Sequence, residues 1–136
     1  MDTIAVEVII NSDIETVWLK WTKAEHIKQW YFASEDWWVP WVEQNLEIGK
    51  RFIYRMEAKD ESVGFDFAGE FTQIEQNTCI VYVLEDQRKV TTTFEIGRDG
   101  VLVRQVFDVE DTLSADLQQQ GWQAILNQFK KYVEQA

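Results

Sequence analysis

The sequence has one cysteine, one proline and one histidine in 136 residues. Cys79 by itself forms no internal disulfide, which suits a reducing cytoplasm. A metal centre needs several His, Cys or carboxylate ligands at workable spacing, and His26 with Cys79 does not supply them. A nucleophilic triad fails as well: there is one histidine and no Gly-x-Ser-x-Gly elbow. His26 reads as a helix-surface residue and Cys79 as a buried, inert thiol. No glycine-rich phosphate loop occurs, so no nucleotide and no other cofactor is expected. Basic residues are also few, 13 against 24 acidic ones, and the formal charge of −11 argues against nucleic acid or an anionic membrane as partner. No apolar run approaches the ~20 residues that span a bilayer, and Met1-Asp2-Thr3 lacks the character of a signal peptide. Cytoplasmic residence is the expectation.

Aromatic residues, by contrast, are abundant. Seven tryptophans, four tyrosines and eight phenylalanines make up 14% of the chain, enough to fill a core or to line a pocket. One domain covering 1–136 accommodates them.

The segment from about Thr112 to Gln135 reads as one long amphipathic helix. Trp122, Ile125, Leu126, Phe129, Tyr132 and Val133 form a single apolar stripe at helical spacing. At ~1.5 Å per residue it spans on the order of 35 Å, and its stripe needs a partner surface. Short alternating strands supply one: Thr3 to Ile10, Lys50 to Glu57, Val63 to Ile74, Cys79 to Leu84, Lys89 to Ile96 and Val101 to Val109. Asp99-Gly100 marks a hairpin, and Gly69 suggests a bulge in a curved sheet. After the first strand, the Ser12/Glu15 and Thr22/Glu25 pairs have capping-box spacing and start two short helices, the second over Lys23 to Trp30. Tyr31 to Gln44 has no sustained period and reads as a loop carrying large rings. The expected fold is α+β: a curved antiparallel sheet of about six strands wrapped around the long C-terminal helix, with two short helices after the first strand.

This pattern resembles the START-like, or SRPBCC, superfamily with its helix-grip fold, the architecture of the birch-pollen allergen. Within it, the chain looks most like the branch named for the activator of Hsp-90 ATPase homologue. Ser12-Asp13-Ile14-Glu15-Thr16-Val17-Trp18, Thr22 through Trp30, and Gly121-Trp122 with Leu126 and Phe129 carry the likeness. Leu46 through Phe52 and Gly69-Glu70-Phe71 resemble two weaker strand motifs. Ser12-Asp13 stands where the family usually has a proline, and Gly49-Lys50 where it often has paired glycines. These motifs shape the fold and are not catalytic.

The resemblance implies a cavity between sheet and long helix, with the segment holding Trp30, Trp37, Trp38 and Trp41 near its mouth. Tyr54, Phe65, Phe67, Tyr82, Phe94 and Trp122 are its candidate wall residues, set against the alternative that these rings fill the core. Arg55 and Arg104 lie mid-strand. Each is either an exposed arginine paired with a carboxylate or an anchor for a ligand's carboxylate. Asp66 and Glu70 fall on the opposite parity from Phe65, Phe67 and Phe71, and are expected to face outward. The expected partner is a small hydrophobic or aromatic molecule. The alternatives are a protein partner, as for a chaperone ATPase activator, and an enzyme of the cyclase or hydrolase kind.

Overall fold

The computed structural model describes residues 2–135. Strand β1 (Thr3–Ile10) leads into helices α1 (Ile14–Thr22) and α2 (Ala24–Trp30). Six strands follow: β2 (Trp37–Gln44), β3 (Arg51–Ala58), β4 (Gly64–Glu75), β5 (Cys79–Leu84), β6 (Lys89–Gly97) and β7 (Gly100–Asp108). Helix α3 (Ala115–Glu134) closes the chain. The strands form one antiparallel sheet in the order β1-β7-β6-β5-β4-β3-β2. Each strand from β2 to β7 pairs with the next, and β1 returns to pair with β7. The sheet curls around α3, with α1 and α2 beside it, in an α+β helix-grip arrangement.

Alternation decides which face turns inward. In β3, Phe52, Tyr54 and Met56 are buried, while Arg51 is exposed and Ile53, Arg55 and Glu57 are only partly covered. The cross-strand pairs Met56–Phe65, Tyr54–Phe67 and Phe52–Gly69 continue that inner face into β4. Asp66 and Glu70 point outward.

Five local expectations are corrected. The Trp-rich segment is not a loop but edge strand β2, which makes the sheet seven-stranded. Its register with β3 shifts between Trp38 and Trp41, around Pro40, and that irregularity breaks the alternation that would have shown a strand. Gly69 sits in regular pairing between Phe52 and Leu84, and the register shift falls between Phe71 and Gln73 instead. Gly69 is small for a different reason: a Cβ there would lie 2.7 Å from the Val83 carbonyl oxygen and 3.0 Å from the Phe52 ring. Helix α1 is capped by Asp13, not Ser12; Asp13 Oδ2 accepts from the Thr16 amide at 3.0 Å and Oδ1 from the Thr16 hydroxyl at 2.7 Å. Helix α2 begins without a side-chain cap, because the Thr22 hydroxyl donates back to the Trp18 carbonyl at 2.8 Å. The long helix starts at Ala115, capped by Ser114, rather than at Thr112.

The two edges of the sheet are treated differently. Along β1, α3 side chains occupy free backbone groups: Gln123 Nε2 donates to Glu7 O at 3.0 Å, Lys130 Nζ donates to Ile9 O, and Glu134 accepts from the Asn11 amide at 2.8 Å. This covers an edge that would otherwise invite another strand. At the other edge, β2 carries Trp38 and Trp41 on its outer face, 46% and 45% exposed.

Candidate functional site

The interior aromatics divide into two groups. Beside the short helices, Trp18, Trp21, Trp30, Phe94 and Phe129 pack ring to ring, with centroids 4.6–5.7 Å apart. The Trp30 indole N–H donates to the Lys20 carbonyl at 3.0 Å, so even its polar edge is satisfied inside. This half of the interior is filled core.

Toward the start of α3 the packing opens. A cavity of about 350 Å³, near the lower end of ligand-pocket sizes, lies between β3, β4 and α3. Its walls are mainly apolar: Tyr31, Met56, Phe65, Phe67, Trp122 and Ile125. Leu113 and Leu117, 52% and 60% exposed, form an apolar rim. The polar contributions come from Arg88, in the turn after β5, and from Glu110 and Gln118. Gln118 is fully engaged: its Nε2 donates to the carbonyls of Glu110 (2.8 Å) and Leu113 (3.0 Å), and its Oε1 accepts from the Glu110 amide (2.8 Å). It thereby fixes the link between β7 and α3 that forms one side of the mouth.

Gly121 also lines the cavity, in the middle of α3. A glycine inside a helix costs ~1 kcal/mol relative to alanine, and close packing is the usual reason to keep one. Here a Cβ would meet nothing within 4 Å. The missing side chain leaves open space in the cavity.

Three buried tyrosines adjoin the cavity, Tyr31 in its wall and Tyr54 and Tyr82 one layer behind. Tyr31 and Tyr54 have ring centroids 4.9 Å apart, and Tyr82 packs on Phe52 at 4.7 Å and on Phe67 at 6.4 Å. Tyr54 donates to Gln44 Oε1 at 2.6 Å, and Gln44 Nε2 donates to the Thr22 carbonyl, tying β3, β2 and α1 together. Burial pushes all three hydroxyls above the ordinary tyrosine range; the neighbouring Tyr82 raises Tyr31 and Tyr54 further. The Tyr82 shift is opposed by its contact with Tyr31 and by the Arg88 guanidinium. At neutral pH these groups are neutral phenols.

Of the residues expected at the site, Phe65, Phe67 and Trp122 lie in the cavity wall. Trp37 is half-buried at its edge, 5.8 Å from the Phe65 ring, while Tyr54 and Tyr82 stand one layer behind. The structure places the others away from the cavity. Trp30 and Phe94 belong to the filled core. Trp38 and Trp41 face outward because they share the β2 face that pairs with Glu57 and Arg55. Arg55 is on the outer face, held by Glu57 (2.9 Å) and Asp66 (3.2 Å), and Arg104 is on the outer face near Glu7 at 3.9 Å. Neither reaches the cavity. Leu117, Gly121, Trp122 and Ile125 lie on one helix face at spacings of three and four, a pattern legible once the helix is placed. Arg88, in a polar turn, carries no such mark in the sequence.

A larger hollow of about 520 Å³ lies on the outer face of the sheet. It is ringed by Arg51, Glu70 and Glu85, with Arg51 paired to Glu85, and it lacks aromatic walls. Among the described residues no group of three or more His, Cys, Asp or Glu is placed to hold a metal ion. His26 Nδ1 lies 2.6 Å from the Tyr132 hydroxyl, and burial pushes the Cys79 thiol up. No helix among the described residues is long and apolar enough to cross a membrane.

A curled antiparallel sheet gripping a C-terminal helix, with an apolar cavity between them, defines a helix-grip protein of the START-like type. The chain belongs to the family described as Activator of Hsp90 ATPase homolog 1-like protein, which matches residues 11–134. It is similar to an AHSA1-like protein from Aeromonas hydrophila solved by NMR, at 40% identity and a TM-score of 0.93, over 98% of this chain and 93% of that one. A protein from Cytophaga hutchinsonii is similar at 41% identity and a TM-score of 0.82, over 98% and 91% of the two chains. A protein from Chromobacterium violaceum, 18% identical, shares the fold with a TM-score of 0.88 over 98% and 99%. No curated protein matches the sequence.

Proposed function

We propose that this chain is a single-domain cytoplasmic protein that binds a small hydrophobic or aromatic molecule in the cavity between the sheet and α3, as a carrier or sensor rather than an enzyme. The observation that carries this reading is Gly121. An internal helix position is kept without a side chain although nothing crowds it, and the space left free belongs to an apolar cavity. Filling that space would stabilise an empty protein, so leaving it open makes sense if something else fills it. Burial against Phe67, Trp122 and Ile125 supplies affinity, and the polar groups at one end supply orientation.

The test is a ligand panel of fatty acids, sterols, flavonoids and other aromatic compounds, read by tryptophan fluorescence and melting temperature. A bound ligand raises the melting temperature. Gly121→Leu is expected to fold and to lose that response. A panel that leaves the wild type unchanged would overturn the reading.

A second reading, as a protein-interaction module, is favoured by Trp38 and Trp41, two large rings exposed side by side on edge strand β2. It is tested by Trp38→Ser/Trp41→Ser, which should abolish partner binding and leave small-molecule binding intact.

A further inference from the structure

Arg88 is the one cationic side chain lining the cavity among the described residues. It sits where the cavity meets two smaller hollows, of about 340 Å³ and 210 Å³, one beside the β7–α3 link and one along β4. Its side chain is 20% exposed. Asp86 positions it twice, accepting from the Arg88 amide at 3.1 Å and from Nε at 2.7 Å. The terminal nitrogens of the guanidinium have no hydrogen-bond acceptor among the described residues. A guanidinium held through Nε keeps its end-on edge free, two parallel N–H groups whose spacing matches the two oxygens of a carboxylate.

We propose that the cavity selects apolar molecules that carry a carboxylate, and that the free edge of Arg88 binds that group while the apolar body lies against Phe67, Trp122 and Ile125. This deepens the binding reading above and rests on it. The other polar groups in the wall fit the assignment. Gln118 spends its side chain on the β7–α3 link and has no donor left for a ligand. Glu110 accepts from the Thr112 hydroxyl and forms no ion pair with Arg88. Its negative charge disfavours an anion on its own side of the mouth, which leaves the Arg88 side for the carboxylate. The net charge of −11 repels anions at long range, so recognition depends on this local, partly desolvated contact.

The experiment titrates decanoate and 1-decanol, matched in chain length, into the wild type, Arg88→Met and Gly121→Leu. Tryptophan fluorescence and calorimetry report binding, and circular dichroism reports the fold. The wild type is expected to prefer decanoate by about tenfold, the value of one charge-assisted contact. Arg88→Met keeps the apolar stem; it should bring decanoate down to the affinity of decanol and leave decanol unchanged. Arg88→Lys should restore part of the preference, keeping the charge without the fork. Equal wild-type affinity for the two probes, or an equal loss of both in Arg88→Met, overturns the carboxylate assignment and leaves the cavity reading standing. Failure of both probes to bind the wild type, or unchanged binding of both by Gly121→Leu, overturns the cavity reading along with it.

Discussion

Trp122 of α3 stacks on Phe107 of β7 with ring centroids 4.0 Å apart and planes 15° from parallel. One face of the indole is thus fixed against the sheet, while the side chain also lines the cavity. Trp122→Ala removes the stack and enlarges the cavity. It is expected to cost about 2–3 kcal/mol, at the lower end for a large aromatic because the ring is only half-buried. Urea denaturation checks this. Trp122→Phe should recover most of the loss.

Two glycines should respond in opposite directions to the same substitution. Gly121→Ala adds a Cβ into open space within a helix and should stabilise the protein by about 0.5–1 kcal/mol. Gly69→Ala drives a Cβ against the Val83 carbonyl and the Phe52 ring, and should destabilise by about 1–3 kcal/mol. Thermal melts of both variants decide the point.

Tyr54→Phe removes the donor to Gln44 Oε1 and leaves that oxygen without its partner in a part-buried site. The expected cost is about 1–2 kcal/mol. The chain Tyr54–Gln44–Thr22 joins β3, β2 and α1, so hydrogen exchange should speed up across β2 as well as at the substituted residue.

Alkaline pH should unfold the protein through its tyrosines. Tyr31, Tyr54 and Tyr82 hold their protons more tightly folded than unfolded, because burial disfavours the phenolate. Below the unfolded tyrosine pKa of about 10 both states are protonated, and stability is undiminished. Above it the unfolded chain ionises first, and stability falls as pH rises toward the folded values. Phenolate absorbance from these three residues is expected to appear together with loss of the folded circular dichroism signal. Ionisation of all three in a still-folded protein would contradict the burial argument.

Patterns that repeat along a single segment were legible in the sequence. The apolar stripe of α3 and the alternation of Phe52, Tyr54 and Met56 follow from helix and strand geometry, which puts residues on a face at fixed spacing. Those two patterns carried the sheet-and-helix architecture, while the family resemblance rested on Ser12 through Trp18, Thr22 through Trp30 and Gly121-Trp122 with Leu126 and Phe129. Strand β2 was hidden because Pro40 and the register shift beside it interrupt the alternation on which strand recognition depends. Trp38 and Trp41 consequently joined the expected site although they face outward.

The sequence by itself therefore determined which segments are apolar on one side, how many large rings need burial, and that a long helix needs a sheet to pack on. Tertiary structure alone decided which rings fill space and which surround it. Trp30 and Phe94 became core because α1, α2 and α3 converge on them. Phe67 and Trp122 became cavity wall because Gly121 leaves a gap opposite the sheet. Arg88 reached that gap only because the β5–β6 turn comes to lie beside the start of α3. Periodicity is a property of neighbours along the chain, whereas a cavity is the volume that distant segments fail to fill, and no local pattern records it.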